Sequence, residues 1–312
     1  MDTTFLNTLD MKTLRGYAEL ISLKQNNPNK AGQRYLTSNT KSLLINKISH
    51  GLNNLITNHT QINGPNGTIY YRQSNILGQG GFGTVYTGYY KPTNGAFIPA
   101  AIKKNRGNAN DLVIQNQNLH KIKNAGITDN FLNVYDLISQ GPDTYLVIQL
   151  LDNYMDLEDA LYNNYTMTQA VFEQISNQLM NTISLLHTNN FVHTDLKPAN
   201  FMVQVDKNSG MIMPRIKIID LGSLIEERPN VNNYNFSIVT PAYVKPDFQN
   251  NIFTRNFTFS EMKQNDKYAI IFSIFEICRR ANLSANNIVL LYRLTTFAPQ
   301  LVNYIATWAI NP

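Results

Sequence analysis

A chain of 312 residues, 43 % of them hydrophobic, can bury one large core or two modest ones. Its 26 lysines and arginines exceed its 21 acids by only +5, and the densest basic cluster, Lys103-Lys104-Asn105-Arg106, is short, so no nucleic-acid partner is expected. One cysteine excludes an intrachain disulfide, and the longest dense apolar run, Tyr268 to Cys278, is too short for a membrane span.

The N-terminus, Met1-Asp2-Thr3-Thr4-Phe5, lacks the basic-then-apolar pattern of a secretory signal, so an intracellular, cytoplasmic protein is expected. Residues 1–67 read as a helical extension. Phe5, Leu6, Leu9, Leu14, Tyr17, Ala18 and Ile21 fall near helical spacing, as do Leu44, Ile45, Ile48, Leu52, Leu55 and Ile56. Asn26-Asn27-Pro28-Asn29 breaks the first helix and Gly64-Pro65-Asn66-Gly67 closes the region with a turn. Two apolar stripes need a cover, either the body of the fold or a partner protein docking on these helices.

From Thr68 the pattern turns to strands: Ile69–Tyr71, Ile76-Leu77, Thr84–Tyr86 and Ile98–Ile102. A helix is predicted over 111–123, with Leu112, Gln115, Leu119 and Ile122 on one face. Strands follow around Phe131–Tyr135 and Tyr145–Leu150. After Leu151 the period is helical, with Val171, Ile175, Leu179, Ile183 and Leu186 at repeats of 3 or 4. Five main strands and one helix followed by a mainly helical half predict an α+β fold of two lobes, 68–150 and 151–312. Cys278 lies in an apolar helical pattern and reads as a buried, inert thiol.

Several segments carry chemistry. Gly78-Gln79-Gly80-Gly81-Phe82-Gly83-Thr84-Val85 lies between two strands, where a dinucleotide-binding loop would lie between a strand and a helix. Its glycines let a backbone close over phosphates. Lys103 ends a strand, and alternation puts it on the face of Ala101 and away from that of Lys104. His193-Thr194-Asp195-Leu196-Lys197-Pro198-Ala199-Asn200 gathers an acid, a cation and an amide in an order suited to phosphoryl transfer. Asp195 can accept a hydroxyl proton, Lys197 can neutralise phosphate charge, and Asn200 can hold a magnesium ion. Asp220, in Ile218-Ile219-Asp220-Leu221-Gly222, adds a second acid at the end of an apolar run. His193 reads as a packed hinge of its loop, and His50, His59, His120 and His187 have no metal-ligand spacing.

Glycine loop, strand lysine, catalytic loop and metal aspartate in this order resemble the eukaryotic-type serine/threonine protein kinase family, over roughly residues 70 to 300. The resemblance implies the two-lobed protein kinase fold, with an antiparallel sheet and one helix in the first lobe and a mainly helical second lobe. It implies ATP and Mg²⁺ as cofactors and a protein substrate with Ser or Thr hydroxyls. Gly78, Gln79, Gly80, Gly81, Phe82 and Gly83 would enclose the nucleotide, with Val85 over the adenine and Ala101, Gln149 and Leu151 beside it. Lys103 would bridge the α- and β-phosphates, Asp195 would act as base beside Lys197, and Asn200 and Asp220 would bind the metal. Thr240-Pro241-Ala242-Tyr243-Val244-Lys245-Pro246-Asp247 resembles the end of an activation loop. Asp266 resembles the aspartate that holds the catalytic loop backbone, and Leu221 stands where phenylalanine is commoner and should pack similarly.

The chain departs from the family pattern in three places. No glutamate lies between Lys103 and Glu158 to pair with the lysine. Gln115 stands there instead, with Asp111 one turn earlier as a substitute by reach, so activity is expected to be weakened. Thr194 replaces the arginine that pairs with an activation-loop phosphate, so activity is expected to be independent of loop phosphorylation. Few residues follow Glu276, so the second lobe is expected to be shortened. These departures keep two rivals open: a pseudokinase or scaffold that binds nucleotide weakly, and a small-molecule kinase of similar fold. Abundant asparagine fits an AT-rich source, and a large DNA virus would suit the divergence.

Overall fold

The computed structural model describes Asn7, Leu14, Ala18 and residues 41–80, 83–105, 109–284 and 288–310. Runs of aromatic and β-branched residues build six antiparallel strands: β1 (Thr60–Asn63), β2 (Gly67–Gly80), β3 (Gly83–Pro92), β4 (Ile98–Lys104), β5 (Val134–Gln140) and β6 (Asp143–Gln149). Their order is β1-β2-β3-β4-β6-β5. β1 was not among the expected strands. Gly64–Gly67 is the hairpin turn that joins it to β2, with Gly64 N donating to Gly67 O at 2.8 Å. Ile69–Tyr71 and Ile76-Leu77 lie on the single strand β2, whose register with β3 slips between Tyr71 and Ile76. The expected strand at Phe131–Tyr135 begins only at Val134, because Phe131, 2 % exposed, is a core anchor ahead of the extended segment.

Helix α1 (Lys41–Ile56) lies against this sheet. Leu44, Ile45, Ile48 and Leu52 form one cluster with Leu14 and Ala18 and with Tyr89 and Phe97. The sheet therefore covers this stripe of the extension. Phe5, Leu6, Leu9, Tyr17, Ile21 and the break at Asn26-Asn27-Pro28-Asn29 lie outside the described residues. Helix α2 (Asn110–Asn124) buries the expected face of Leu112, Gln115, Leu119 and Ile122, and also Asn118.

The rest is mainly helical: α3 (Leu157–Tyr162), α4 (Gln169–Thr188), α5 (Pro246–Gln249), α6 (Phe259–Arg280), α7 (Ile288–Phe297) and α8 (Val302–Ile310). Short strands β7 (Tyr154–Asp156), β8 (Phe191–Val192), β9 (Phe201–Asp206), β10 (Met211–Ile218) and β11 (Ile225–Glu226) form two small sheets, ordered β10-β9-β7 and β11-β8. Side chains fix the helix starts. Asp156 accepts from Asp159 N, Thr168 accepts from Val171 N, and Thr258 with Glu261 forms a capping box on α6. One cluster of buried side chains joins the halves: Leu112 and Leu119 of α2 and Leu146 of β6 share it with Ile175 and Leu179 of α4 and Ile274 of α6. Cys278 is buried in it and donates to Leu283 O, and burial pushes its thiol pKa up. No helix among the described residues is long and apolar enough to cross a membrane.

Candidate active site

A cleft of about 340 Å³ opens between the sheet and the helical half, within the usual range for a small ligand. The sheet contributes Gly78, Val85, Ala101 and Lys103. Gln149 and Leu151 lie where the chain leaves β6, and Asn200 and Asp220 line the cleft from the helical half. Gln79, Gly80 and Gly83 do not line it, and Gly81 and Phe82 lie outside the described residues. An added Cβ at Gly83, where φ is +140°, would sit 2.2 Å from the Lys104 carbonyl, so only glycine fits there. At Gly78 an added Cβ meets nothing within 4 Å, so space alone does not demand glycine there. Leu132, Ile148, Met202 and Ile218 add apolar wall, and Asp156 an acid, that sequence reasoning did not single out. Leu132 and Ile148 fell in runs read as strands and Ile218 in the apolar run before Asp220, but nothing in the sequence marked them as the wall of a cleft.

Alternation along β4 separates its two lysines. Lys104 pairs with Asp143 at 2.7 Å, whereas Lys103 turns into the cleft and its Nζ donates to Gln115 Oε1 at 3.0 Å. Gln115 Nε2 in turn donates to Asp220 Oδ1 at 2.7 Å. The amide is oriented by chemistry: an ammonium only donates, so the oxygen must face Lys103 and the nitrogen is left for the carboxylate. Asp111 acts on Lys103 only through its field. Burial lowers the Lys103 pKa, and the charges of Asp220 and Asp111 oppose that shift. Asp220 itself sits in the left-handed region at φ 61°, and its Oδ1 also accepts from Gly222 N at 3.4 Å. One turn along α2 from Gln115, Asn118 Nδ2 donates to Leu221 O at 2.7 Å, and Leu221 is buried as expected.

The loop around Asp195 is held from below. Asp266, fully buried on α6, accepts from His193 N at 2.8 Å, from Thr194 N at 2.9 Å, and contacts His187 Nε2 at 3.1 Å. These bonds hold Thr194 at φ 71°, and its hydroxyl donates to Ser223 O at 3.0 Å. His193 has no exposed surface; its Nε2 lies 3.3 Å from Ile219 O. Asp195 Oδ2 accepts from Lys197 Nζ at 2.9 Å and Oδ1 accepts from the Thr240 hydroxyl at 2.7 Å, while Lys197 also donates to Thr240 at 2.7 Å. Burial disfavours the charged carboxylate, but the bonds from Lys197 and Thr240 outweigh it and hold the Asp195 pKa below its ordinary value.

Asn200 Nδ2 donates to Asp195 O at 2.8 Å, and Ile219 N donates to Asn200 O at 2.9 Å, tying the loop of Asp195 to the segment of Asp220. Among the described residues, Asn200 Oδ1 and Asp220 Oδ2 accept no hydrogen bond, and both residues line the cleft. An amide oxygen and a carboxylate oxygen left open to one cleft fit a hard cation that keeps water and phosphate oxygens as its other ligands. No group of three or more His, Cys, Asp or Glu among the described residues could hold a metal on protein ligands alone.

Comparison with known proteins agrees with this geometry. The model of the protein kinase domain family matches residues 71–256. The chain is 29 % identical over 180 residues to Cell division control protein 2 homolog 3 of Trypanosoma brucei brucei, covering 57 % of this chain and 54 % of that protein. It is 27 % identical over 184 residues to Death-associated protein kinase 2 of Homo sapiens, covering 58 % and 48 %. It is 26 % identical over 193 residues to Serine/threonine-protein kinase chk-2 of Caenorhabditis elegans, covering 57 % and 37 %. The chain thus spans about half the length, or less, of these curated relatives. With the matched segment running from β2 past the loop of Asp195 and Asp220, the chain belongs to the protein kinase domain family.

Proposed function

We propose that the chain is an ATP- and Mg²⁺-dependent serine/threonine protein kinase, taking residues 68–150 and 151–312 as its lobes and 1–67, with β1 added to the sheet, as an extension. One observation carries this reading: an unbroken line of bonds runs from Lys103 through Gln115 to Asp220, and from its neighbour Ile219 through Asn200 to Asp195. Such a line sets a phosphate-binding cation and a proton acceptor at the two ends of one site. Lys103 holds the α- and β-phosphates. Asp195, kept ionised by its donors, accepts the proton of a Ser or Thr hydroxyl as that oxygen takes the γ-phosphoryl group and ADP leaves. Lys197, donating to both Asp195 and Thr240, faces the transferring group. A magnesium ion held by Asn200 and Asp220 would offset phosphate charge. The form Asp195-Leu196-Lys197-Pro198-Ala199-Asn200 resembles that of serine/threonine kinases, and the name of the Caenorhabditis elegans relative points the same way. Thr194 is buried and uncharged, so the reading needs no phosphate on the activation loop.

Transfer of ³²P from ATP to a panel of proteins tests this. The wild-type chain, with or without prior phosphatase treatment, is expected to label Ser and Thr. Asp195→Asn should lower the rate by about 10²–10⁴-fold, the usual worth of a general base. Gln115 in place of a glutamate favours a second reading, a nucleotide-binding pseudokinase. Absence of any label above that of Asp195→Asn would establish it.

A further inference from the structure

The bridge through Gln115 changes the charge of the cleft as well as its geometry. A glutamate in this place would put a carboxylate oxygen where Gln115 Nε2 now donates to Asp220 Oδ1 at 2.7 Å, setting two acceptors against each other. With glutamine, the acids among the described residues whose charge acts on Lys103 are Asp220 and Asp111, and the site carries one negative charge fewer than with glutamate. Among the described residues that line the cleft Lys103 is the one cation; Lys104 turns away to Asp143, and Lys197, which faces the transferring group, is bonded to Asp195. The amide nitrogen also takes one lone pair of Asp220, which blunts the acid that would otherwise repel a bare phosphate chain.

We infer that Gln115 adapts this cleft to bind a nucleoside triphosphate without a divalent cation, so that the metal serves transfer more than binding. The inference rests on the reading of the cleft as a nucleotide site. It departs from a site built on a lysine–glutamate pair, where the extra carboxylate adds repulsion to the phosphates that a bound cation offsets. The effect belongs to the phosphates, so it must grow with phosphate charge and vanish for a ligand that has none.

Calorimetric titration of the full chain tests this with ATP in EDTA, ATP in magnesium, and adenosine. Wild type is expected to bind ATP in EDTA measurably. Gln115→Glu should widen the gap between ATP in magnesium and ATP in EDTA by about tenfold, the worth of one added unit charge at partly screened short range. Adenosine should bind wild type and Gln115→Glu equally, which shows that the pocket is intact. If wild type binds ATP only with magnesium, or the gap is the same in both proteins, the inference is overturned while the nucleotide site stands. Equal losses for adenosine and ATP in the variant would overturn it too, since distortion and not charge would then be the cause. No binding of any ligand would sink the inference together with the nucleotide reading beneath it.

Discussion

Thr240 Oγ1 and Lys197 Nζ reach the two oxygens of Asp195 from different parts of the chain, at 2.7 and 2.9 Å. Both bonds favour the ionised carboxylate, and burial opposes them. Removing the hydroxyl as Thr240→Val leaves the burial and one fewer donor, so the Asp195 pKa must rise. Protonated Asp195 cannot act as base. The acid limb of the kcat/KM profile should therefore move to higher pH by about one pH unit, since a hydrogen bond to a charge is worth about 1.5–3 kcal/mol and this one is part-exposed. A limb that stays in place would show that Thr240 does not set the ionisation of Asp195. The sequence reading found Asp195, Lys197 and Asn200 because local spacing places them together within one loop. It matched Thr240 to a family segment but gave it no role, because its partner lies 45 positions away and only the fold brings the two together.

Helix α2 shows where periodicity stops being informative. Its 3.6-residue pattern marks Leu112, Gln115, Leu119 and Ile122 correctly as the inner face. Asn118 lies on that face too, 5 % exposed, but a polar residue adds nothing to an apolar pattern and its partner, Leu221 O, is 103 positions on. The strands show the same limit from the other side. β4 and β6 are legible because each holds a compact apolar run with β-branched residues, buried over three or four consecutive positions. β1, only four residues long, offers too few alternations to register, and the apolar run at Phe131 reports burial without extension. The Asn118 bond pins α2, and with it Gln115, to the segment after Asp220. Asn118→Ala leaves a buried carbonyl without its donor, which should cost about 1–3 kcal/mol in urea denaturation. ATP affinity should fall as well, because Gln115 and Asp220 lose their fixed spacing. A loss below about 0.5 kcal/mol would mean that water replaces the amide and that the pin is dispensable.

At the scale of the molecule, one buried cluster spans both halves while a second binds the N-terminal region to the outer side of the sheet. Composition allowed one large core or two modest ones, and it could not say that the chief core would be shared across the cleft. Nor could it choose between the sheet and a partner as the cover for the stripe of α1, since both would bury the same residues. Leu52 decides whether that layer is integral. Fully buried among Leu14, Leu44, Ile48, Tyr89 and Phe97, it has no room to collapse when truncated. Leu52→Ala should then cost about 2–5 kcal/mol. If α1 and the sheet unfold together, the main calorimetric transition should fall by about 2–4 °C for each kcal/mol lost, as in cooperative domains of this size. If α1 were an arm that merely rests on the sheet, the variant would instead lower or split off a small early transition and leave the main one in place. The packing of α1 against Tyr89 on β3, the strand that also carries Val85 to the cleft, favours the single transition and would tie the extension to the sheet side of the site.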